Sequence, residues 1–294
     1  MRTVFLGTSD FAVAVLERLA ASAHRPQLVI TRPDRPRGRG RRLASPPVAE
    51  AARGLGLELA QPASVNDEVV RTQIAGLRPG AICVCAFGAL IKEPLLSEHL
   101  MLNVHPSLLA RWRGAAPIER AIMAGDERTG VSIMRVTAGL DSGPVHAQAA
   151  EPIEPSDTYG TLAARLMRLG GDLLVHALDD LPPGVDQDER QATYAEKITA
   201  EDRRLDPEQP ARALERVVRA LTPHIGAQLQ LPDGSLLGVR EVRVLQTGPP
   251  AGTLALEPPC PVLGCAEGAL ELRVVHPPGR RPMTGEEYLR GLRR

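Results

Sequence analysis

Three residues of this 294-residue chain combine types and spacing that suit acyl-group chemistry: Asn103, His105 and Asp141. Asn103 and His105 lie two apart in the apolar run from Met101 to His105, which reads as a strand. Side chains two apart on a strand share a face, so a carboxamide that donates hydrogen bonds stands beside an imidazole that moves protons. Such a pair suits a reaction in which a carbonyl oxygen gains negative charge while an amine loses a proton. Asp141 lies in Gly139-Leu140-Asp141-Ser142-Gly143, where glycines flank a carboxylate in a tight loop. An aspartate reaching His105 could hold its tautomer and stabilise the imidazolium. The plain alternatives are a strand end that caps its own backbone and an ordinary surface turn.

The elements that must position these residues follow from apolar periodicity. Thr3 to Leu6 reads as a buried strand closed by Gly7, Thr8-Ser9-Asp10 as a helix cap, and Phe11 to Leu19 as the helix. A second strand is expected at Gln27 to Thr31, so the unit is strand, turn, helix, strand, which builds a parallel sheet with helices on both faces. Further strands are expected at Gly80 to Cys85 and Met101 to His105, with helices near Pro46 to Arg53, Asp67 to Gly76 and Ala116 to Ala124. The fold class is therefore α/β, with a Rossmann-like, mostly parallel sheet. Gly7-Thr8-Ser9-Asp10 is not the glycine fingerprint of a dinucleotide site. Ligands of such sheets bind beyond the carboxyl ends of the strands, where Asn103 and His105 fall.

Pro144 to Glu151 reads as a strand, and Ser156-Asp157-Thr158 caps an amphipathic helix from Tyr159 to about Leu178. Composition then turns rich in Pro, Asp, Glu and Gln, so the chain is divided into a domain at 1–180, a linker at 181–205 and a smaller domain at 206–294. The last domain opens with a helix, Ala211 to Leu221. Short strands follow at Ala227 to Leu231, Leu236 to Leu245, Gly252 to Glu257 and Ala269 to Val275, the pattern of a small barrel. Its only aromatic is Tyr288, which argues against reading bases by stacking.

Lys plus Arg and Asp plus Glu number 35 each, so any nucleic-acid affinity must come from local patches. One such patch runs from Thr31 to Leu43, with six arginines, one aspartate and Gly38 and Gly40 to keep it mobile. A solvated charge run is the common meaning of such a stretch. Here it follows a strand directly, on the rim where a ligand should sit, and Arg35, Arg37, Arg39, Arg41 and Arg42 are candidates to clamp a phosphate backbone. Cys83 and Cys85 read as core filler. Cys260 and Cys265 could form a bridge or half a metal site but lack zinc spacing, so no metal is expected. No stretch is long and apolar enough to span a membrane, and the start of the chain runs directly into a strand, so a cytoplasmic location is expected. A monomer is expected as well.

Asn103-Val104-His105, Ser107-Leu108-Leu109, Arg113-Gly114-Ala115-Ala116-Pro117-Ile118, Gly130-Val131-Ser132-Ile133-Met134 and Gly139-Leu140-Asp141-Ser142-Gly143 follow one another in an order that resembles the folate-dependent formyltransferases. The resemblance is strong through Gly143 and looser beyond Leu205. It implies 10-formyltetrahydrofolate as formyl donor and no metal, since the folate carries the activated carbon. It implies that Asn103 donates to the tetrahedral oxygen, that His105 stabilises that oxygen and shuttles a proton, and that Asp141 orients His105. Ser107, Leu108, Leu109 and Ala110 match the family's folate segment, with Phe87, Gly88 and Leu90 on the pterin side.

The arginine run resembles the insertion that wedges against a tRNA acceptor stem in some members, with Arg39 at its key position. This implies initiator methionyl-tRNA as acceptor and an OB-like, tRNA-contacting C-terminal domain. Two positions depart from the family pattern: Pro106 stands where Gly is usual, and Ala110 where Pro is usual. Pro106 removes an N–H, and both bear on folate contacts more than on the Asn/His/Asp set. Trp112 reads either as a loop anchor or as part of the acceptor or methionine surface. A formyltransferase for a sugar amine or purine-pathway amine, a non-catalytic RNA-binding relative and a formate-releasing hydrolase are the alternatives.

Overall fold

The structure is a computed structural model that describes residues 1–37 and 42–292. In chain order the first elements are β1 (Thr3–Gly7), α1 (Asp10–Ala20), β2 (Pro26–Ile30), β3 (Arg35–Arg37), β4 (Arg42–Ala44), α2 (Pro47–Gly54) and β5 (Leu59–Ala60). They are followed by α3 (Glu68–Leu77), β6 (Ala81–Cys85), α4 (Leu95–Glu98), β7 (Met101–His105), β8 (Arg113–Gly114), α5 (Pro117–Ala124), β9 (Arg128–Arg135), β10 (Val145–Pro152) and α6 (Tyr159–Asp180). After a 3-10 turn at Glu189–Gln191 come β11 (Tyr194–Ala195), α7 (Ala211–Leu221), β12 (Ala227–Gln230), β13 (Leu236–Leu245), β14 (Leu254–Ala255), β15 (Val262–Gly264), β16 (Ala269–His276), β17 (Met283–Thr284) and α8 (Gly285–Leu292).

The chain divides into two compact units, one formed by Met1–Gly114, Arg128–Pro152 and Ala163–Tyr194, the other by Ala115–Glu127, Ile153–Leu162 and Ala195–Arg294. In the first, seven strands form one sheet in the order β10-β9-β7-β6-β1-β2-β5. Strands β5, β2, β1, β6 and β7 are parallel, whereas β9 runs antiparallel to β7 and β10 antiparallel to β9. The order reverses between β1 and β6, the place where ligand crevices open in sheets of this kind. Full burial of β1 and β6 explains their unbroken apolar sequences. Val4, Leu6, Leu28, Ile30, Ile74, Ile82 and Leu95 form the core of this unit, each contributing about 2 kcal/mol by burial. Gly7 is required at the β1 exit, because a Cβ there would lie 2.6 Å from the Phe5 ring and 2.8 Å from Ala12 Cβ.

The arginine run is not an unpaired loop throughout. Its flanks, β3 and β4, form an antiparallel ribbon with Arg35 opposite Ala44, Pro36 opposite Leu43 and Arg37 opposite Arg42. A two-stranded ribbon exposes both faces, so alternation gives no apolar signal and the charges do not oppose pairing. The positions between the strands, Arg39 and Arg41 among them, lie outside the described residues. Strand β9 also escapes the sequence reading, although its residues carry a recognised motif. Ser9 occupies the N-cap of α1, but its side chain makes no capping bond there.

The second unit has an antiparallel sheet in the order β12-β13-β16-β15-β14, with β17 on β16, and α7 buries Leu214, Val218 and Leu221 in the same core as Leu237, Val239 and Leu272. β15, β17 and α8 are too short or too polar to stand out in sequence. Thr158 and Thr161 exchange backbone-to-hydroxyl bonds of 3.0 and 3.3 Å in a reciprocal cap at the start of α6. All four cysteines are free, Cys260 and Cys265 included.

A paired fork in this unit joins Arg120 to Asp202 at 2.7 and 3.0 Å. Hydrogen bonds from Arg120, aided by Thr199, lower the Asp202 carboxyl to about 2. The folded value lies below the unfolded one, so the stabilisation is complete above about pH 4 and fades as pH falls toward 2. It is worth on the order of 2 kcal/mol. Asp202→Asn is expected to lower the urea midpoint at pH 7, by progressively less as the pH falls below about 4, and to matter little only near pH 2; equal midpoints at pH 7 would show that the pair contributes nothing.

Candidate active site

Asn103 and His105 occupy the carboxyl end of β7, between β6 and β9, with Asn103 opposite Val84 and Met134 and His105 opposite Ser132. His105 is buried and Asn103 half-buried. Among the described residues none hydrogen bonds to the Asn103 carboxamide, which leaves its donors for a bound group. The His105 ring is oriented by the main-chain carbonyl of Trp112, 2.8 Å from Nε2. A carbonyl only accepts, so the bond assigns the proton to Nε2 and leaves Nδ1 as the nitrogen that gains and loses one. Asp141 Oδ2 lies 3.7 Å from that Nδ1. This is longer than a hydrogen bond, so the carboxylate faces the ring without bonding it.

Asp141 arrives there by an indirect path. The loop that carries it begins beside the amino end of β7, where Val136 N–H bonds Met101 O. It then returns along the sheet, and Gly114 N–H donates to Asp141 Oδ2 at 2.9 Å. Asp141 itself adopts φ +46°, a left-handed conformation that aspartate tolerates at a cost and that surrounding bonds must hold. Gly143 closes the loop so tightly that a Cβ would collide with the Arg135 carbonyl oxygen.

The residues expected to hold folate fall in two places. Ser107 is fully buried, and its hydroxyl donates to Arg111 O at 2.6 Å, so it shapes its own loop. Half-buried Leu108 lies against Gly130, where a Cβ would meet its side chain at 2.6 Å. Leu109 N–H donates to Ser132 Oγ, while Leu109 O accepts from Gln148. Leu109 and Ala110 line an open cleft of about 380 Å³ with His146, Gln148 and Gln187.

Phe87 and Gly88 instead line a cleft of about 340 Å³ at the β1/β6 crevice, with Thr8, Ser9, Arg32 and Arg35. Thr8 and Arg32 donate to the carbonyls of Phe87 and Gly88 across that crevice. Leu90 is 70% exposed, and its carbonyl accepts from Asn66. Arg35 is thus the one candidate arginine whose side chain is described, and it borders this second cleft; the side chains of Arg37 and Arg42 lie outside the described set.

Sequence reasoning missed Arg32, Arg113, Ser132, Gln187 and the Trp112 carbonyl. Ser132 was visible in the Gly130 to Met134 motif, and its hydroxyl now ties Ser107 O, Leu109 N and Gln148 together. Trp112 has φ +63°, which is how its carbonyl turns to His105, and Arg111 stacks 4.4 Å from its ring. Among the described residues no cluster of His, Cys, Asp and Glu could hold a metal ion, and no helix is long and apolar enough to cross a membrane.

The arrangement offers a donor for a developing oxyanion, a proton carrier and a carboxylate on one side of the sheet. Residues 1–178 match the family model described as formyl transferase, and residues 197–293 match that of the formyl transferase C-terminal domain. A methionyl-tRNA formyltransferase of Halorhodospira halophila is 45% identical over 99% of this chain and 96% of its own length. One of Methylococcus capsulatus is 41% identical over 98% and 96%. In fold, the chain resembles HypX of Aquifex aeolicus, solved in complex with tetrahydrofolic acid, with a TM-score of 0.65 at 18% identity. That match covers 98% of this chain and 47% of the longer HypX chain.

Proposed function

The chain belongs to the formyl transferase family, and we propose that it transfers the formyl group of 10-formyltetrahydrofolate to the α-amine of methionine on initiator methionyl-tRNA, giving N-formylmethionyl-tRNA for translation initiation. The observation that carries this reading is likeness to proteins of that activity along the whole chain, C-terminal domain included. The folate is a co-substrate that supplies an activated formyl carbon. Attack by the methionyl amine puts negative charge on the formyl oxygen, and the Asn103 carboxamide is the donor for it. His105 Nδ1 takes the proton that the amine loses and returns one to the departing folate nitrogen. Asp141 stabilises the imidazolium between these two transfers.

Ser107, Leu108, Leu109 and Ala110, together with Phe87, Gly88 and Leu90, are assigned to the folate. The two open clefts, one bordered by Leu109 and Ala110 and the other by Phe87 and Gly88, support the assignment of those four. Arg35, Arg37, Arg39, Arg41 and Arg42 are assigned to the phosphate backbone of the acceptor stem. Residues 1–180 carry the chemistry, 181–205 connect, and 206–294 add backbone contacts. An aminoacyl-tRNA substrate supports a cytoplasmic location, and action as a monomer is part of the proposal.

The test is formyl transfer by purified protein from 10-formyltetrahydrofolate to methionyl initiator tRNA, free methionine and small amines, at two salt concentrations. Transfer to the charged tRNA alone, weakening with salt, is expected. Transfer to a small amine, or formate release without acceptor, would overturn the substrate. Arg39→Ala is expected to lower kcat/KM for tRNA and to reduce the salt slope by about 1. Unchanged kinetics would remove the arginine run from the reading.

A further inference from the structure

Among the described residues Arg113 is the largest side chain that is fully buried, with 2% of its surface exposed. A buried guanidinium is costly unless its donors are met. Two of its nitrogens fork onto Glu189 at 2.8 and 2.9 Å, and Nε donates to Gln187 Oε1 at 3.0 Å. Gln187 then uses its amide nitrogen twice, donating to Asp141 O at 2.9 Å and to Gly143 O at 2.8 Å. Only one orientation of the carboxamide satisfies this set, because the guanidinium can only donate and the two carbonyls can only accept. The hydrogen bond to Glu189 holds Arg113 above the usual guanidinium range, and the same bond holds Glu189 below the usual carboxylate range, so the charges that anchor the chain persist at working pH.

We infer that Gln187 is a positioning residue for Asp141: held by Arg113, its carboxamide grips the backbone on both sides of the Asp141 turn and keeps the carboxylate facing His105. The inference rests on the role proposed above for Asp141. Four observations carry it. Asp141 sits at φ +46° and needs outside bonds to stay there. Its loop has two carbonyls, those of Asp141 and Gly143, satisfied by the same side chain. The residue next to Arg113, Gly114, holds the Asp141 carboxylate directly, so one short segment fixes the turn from both its side chain and its backbone. The gap of 3.7 Å between Asp141 and His105 leaves no hydrogen bond from the ring to hold the carboxylate, so its placement depends on the Gly114 N–H and this frame.

The experiment compares the wild-type protein with Gln187→Ala, Gln187→Glu, Asp141→Asn and the two double variants, in formyl transfer to methionyl-tRNA. Gln187→Glu keeps the volume and the acceptor for Arg113 but loses both donors, and it serves if the alanine variant does not fold. The expected result is a kcat lowered roughly 10- to 100-fold, the scale of a small misplacement of a catalytic group. KM for both substrates should stay within about threefold, as for a group needed only in the transition state. In the Asp141→Asn background, replacing Gln187 should lower kcat no further, because coupled residues are non-additive. A normal kcat in the Gln187 variants beside an impaired Asp141→Asn overturns the positioning role alone. So do additive losses, or a change confined to KM. A fully active Asp141→Asn overturns the reading of Asp141 and the positioning role with it.

Discussion

His105→Ala is expected to lower kcat by roughly 10²- to 10⁴-fold, the range for loss of a positioned acid–base group. The geometry explains why no neighbour should replace it. Nε2 is committed to the Trp112 carbonyl at 2.8 Å, so one nitrogen fixes the ring while the other, Nδ1, is left to move protons. Asp141, the nearest carboxylate, lies 3.7 Å behind that nitrogen and already accepts the Gly114 N–H. Binding of methionyl-tRNA should be retained, since the ring is 4% exposed and adds little to a binding surface. Single-turnover transfer with saturating tRNA, beside a filter-binding titration, separates the two effects. A rate within about threefold of wild type would show that proton transfer runs through another group.

Asn103→Ala should cost about 3 kcal/mol of barrier, or roughly 10²- to 10³-fold in kcat, the loss typical of a single oxyanion donor. Because no described residue bonds its carboxamide, the substitution leaves no orphaned partner in the protein, and stability should change little. The loss should fall on kcat and kcat/KM together, the signature of an interaction made only in the transition state. A rise in KM with kcat intact would instead make Asn103 a ground-state contact. Heat-unfolding midpoints of wild type and variant provide the control for folding.

Much of this frame was legible along the chain. The strand at Met101–His105 has the limits its apolar run suggested, and α7 spans Ala211–Leu221 as its helical spacing implied. β9 was missed despite its motif, because its length, from Arg128 to Arg135, became clear only once β7 and β10 flanked it. The pairing of β3 with β4 was hidden for a different reason. Its stabilisation is backbone hydrogen bonding in an exposed ribbon, which leaves no hydrophobic alternation to read.

By itself the sequence determined the parallel β-α order and the shared face of Asn103 and His105, since alternation along a strand is local and needs no partner. Only the tertiary structure decided that Asp141 comes back to His105 from a loop that departs at the other end of β7. It also decided that a backbone carbonyl, not a carboxylate, makes the hydrogen bond that orients the imidazole. Gln187 reaches the Asp141 turn from 46 residues away, out of a stretch whose composition reads as a linker. Composition reports what a segment can bury. Which carbonyls its side chains meet depends on chain packing, because hydrogen bonds between distant residues leave no periodic trace in sequence.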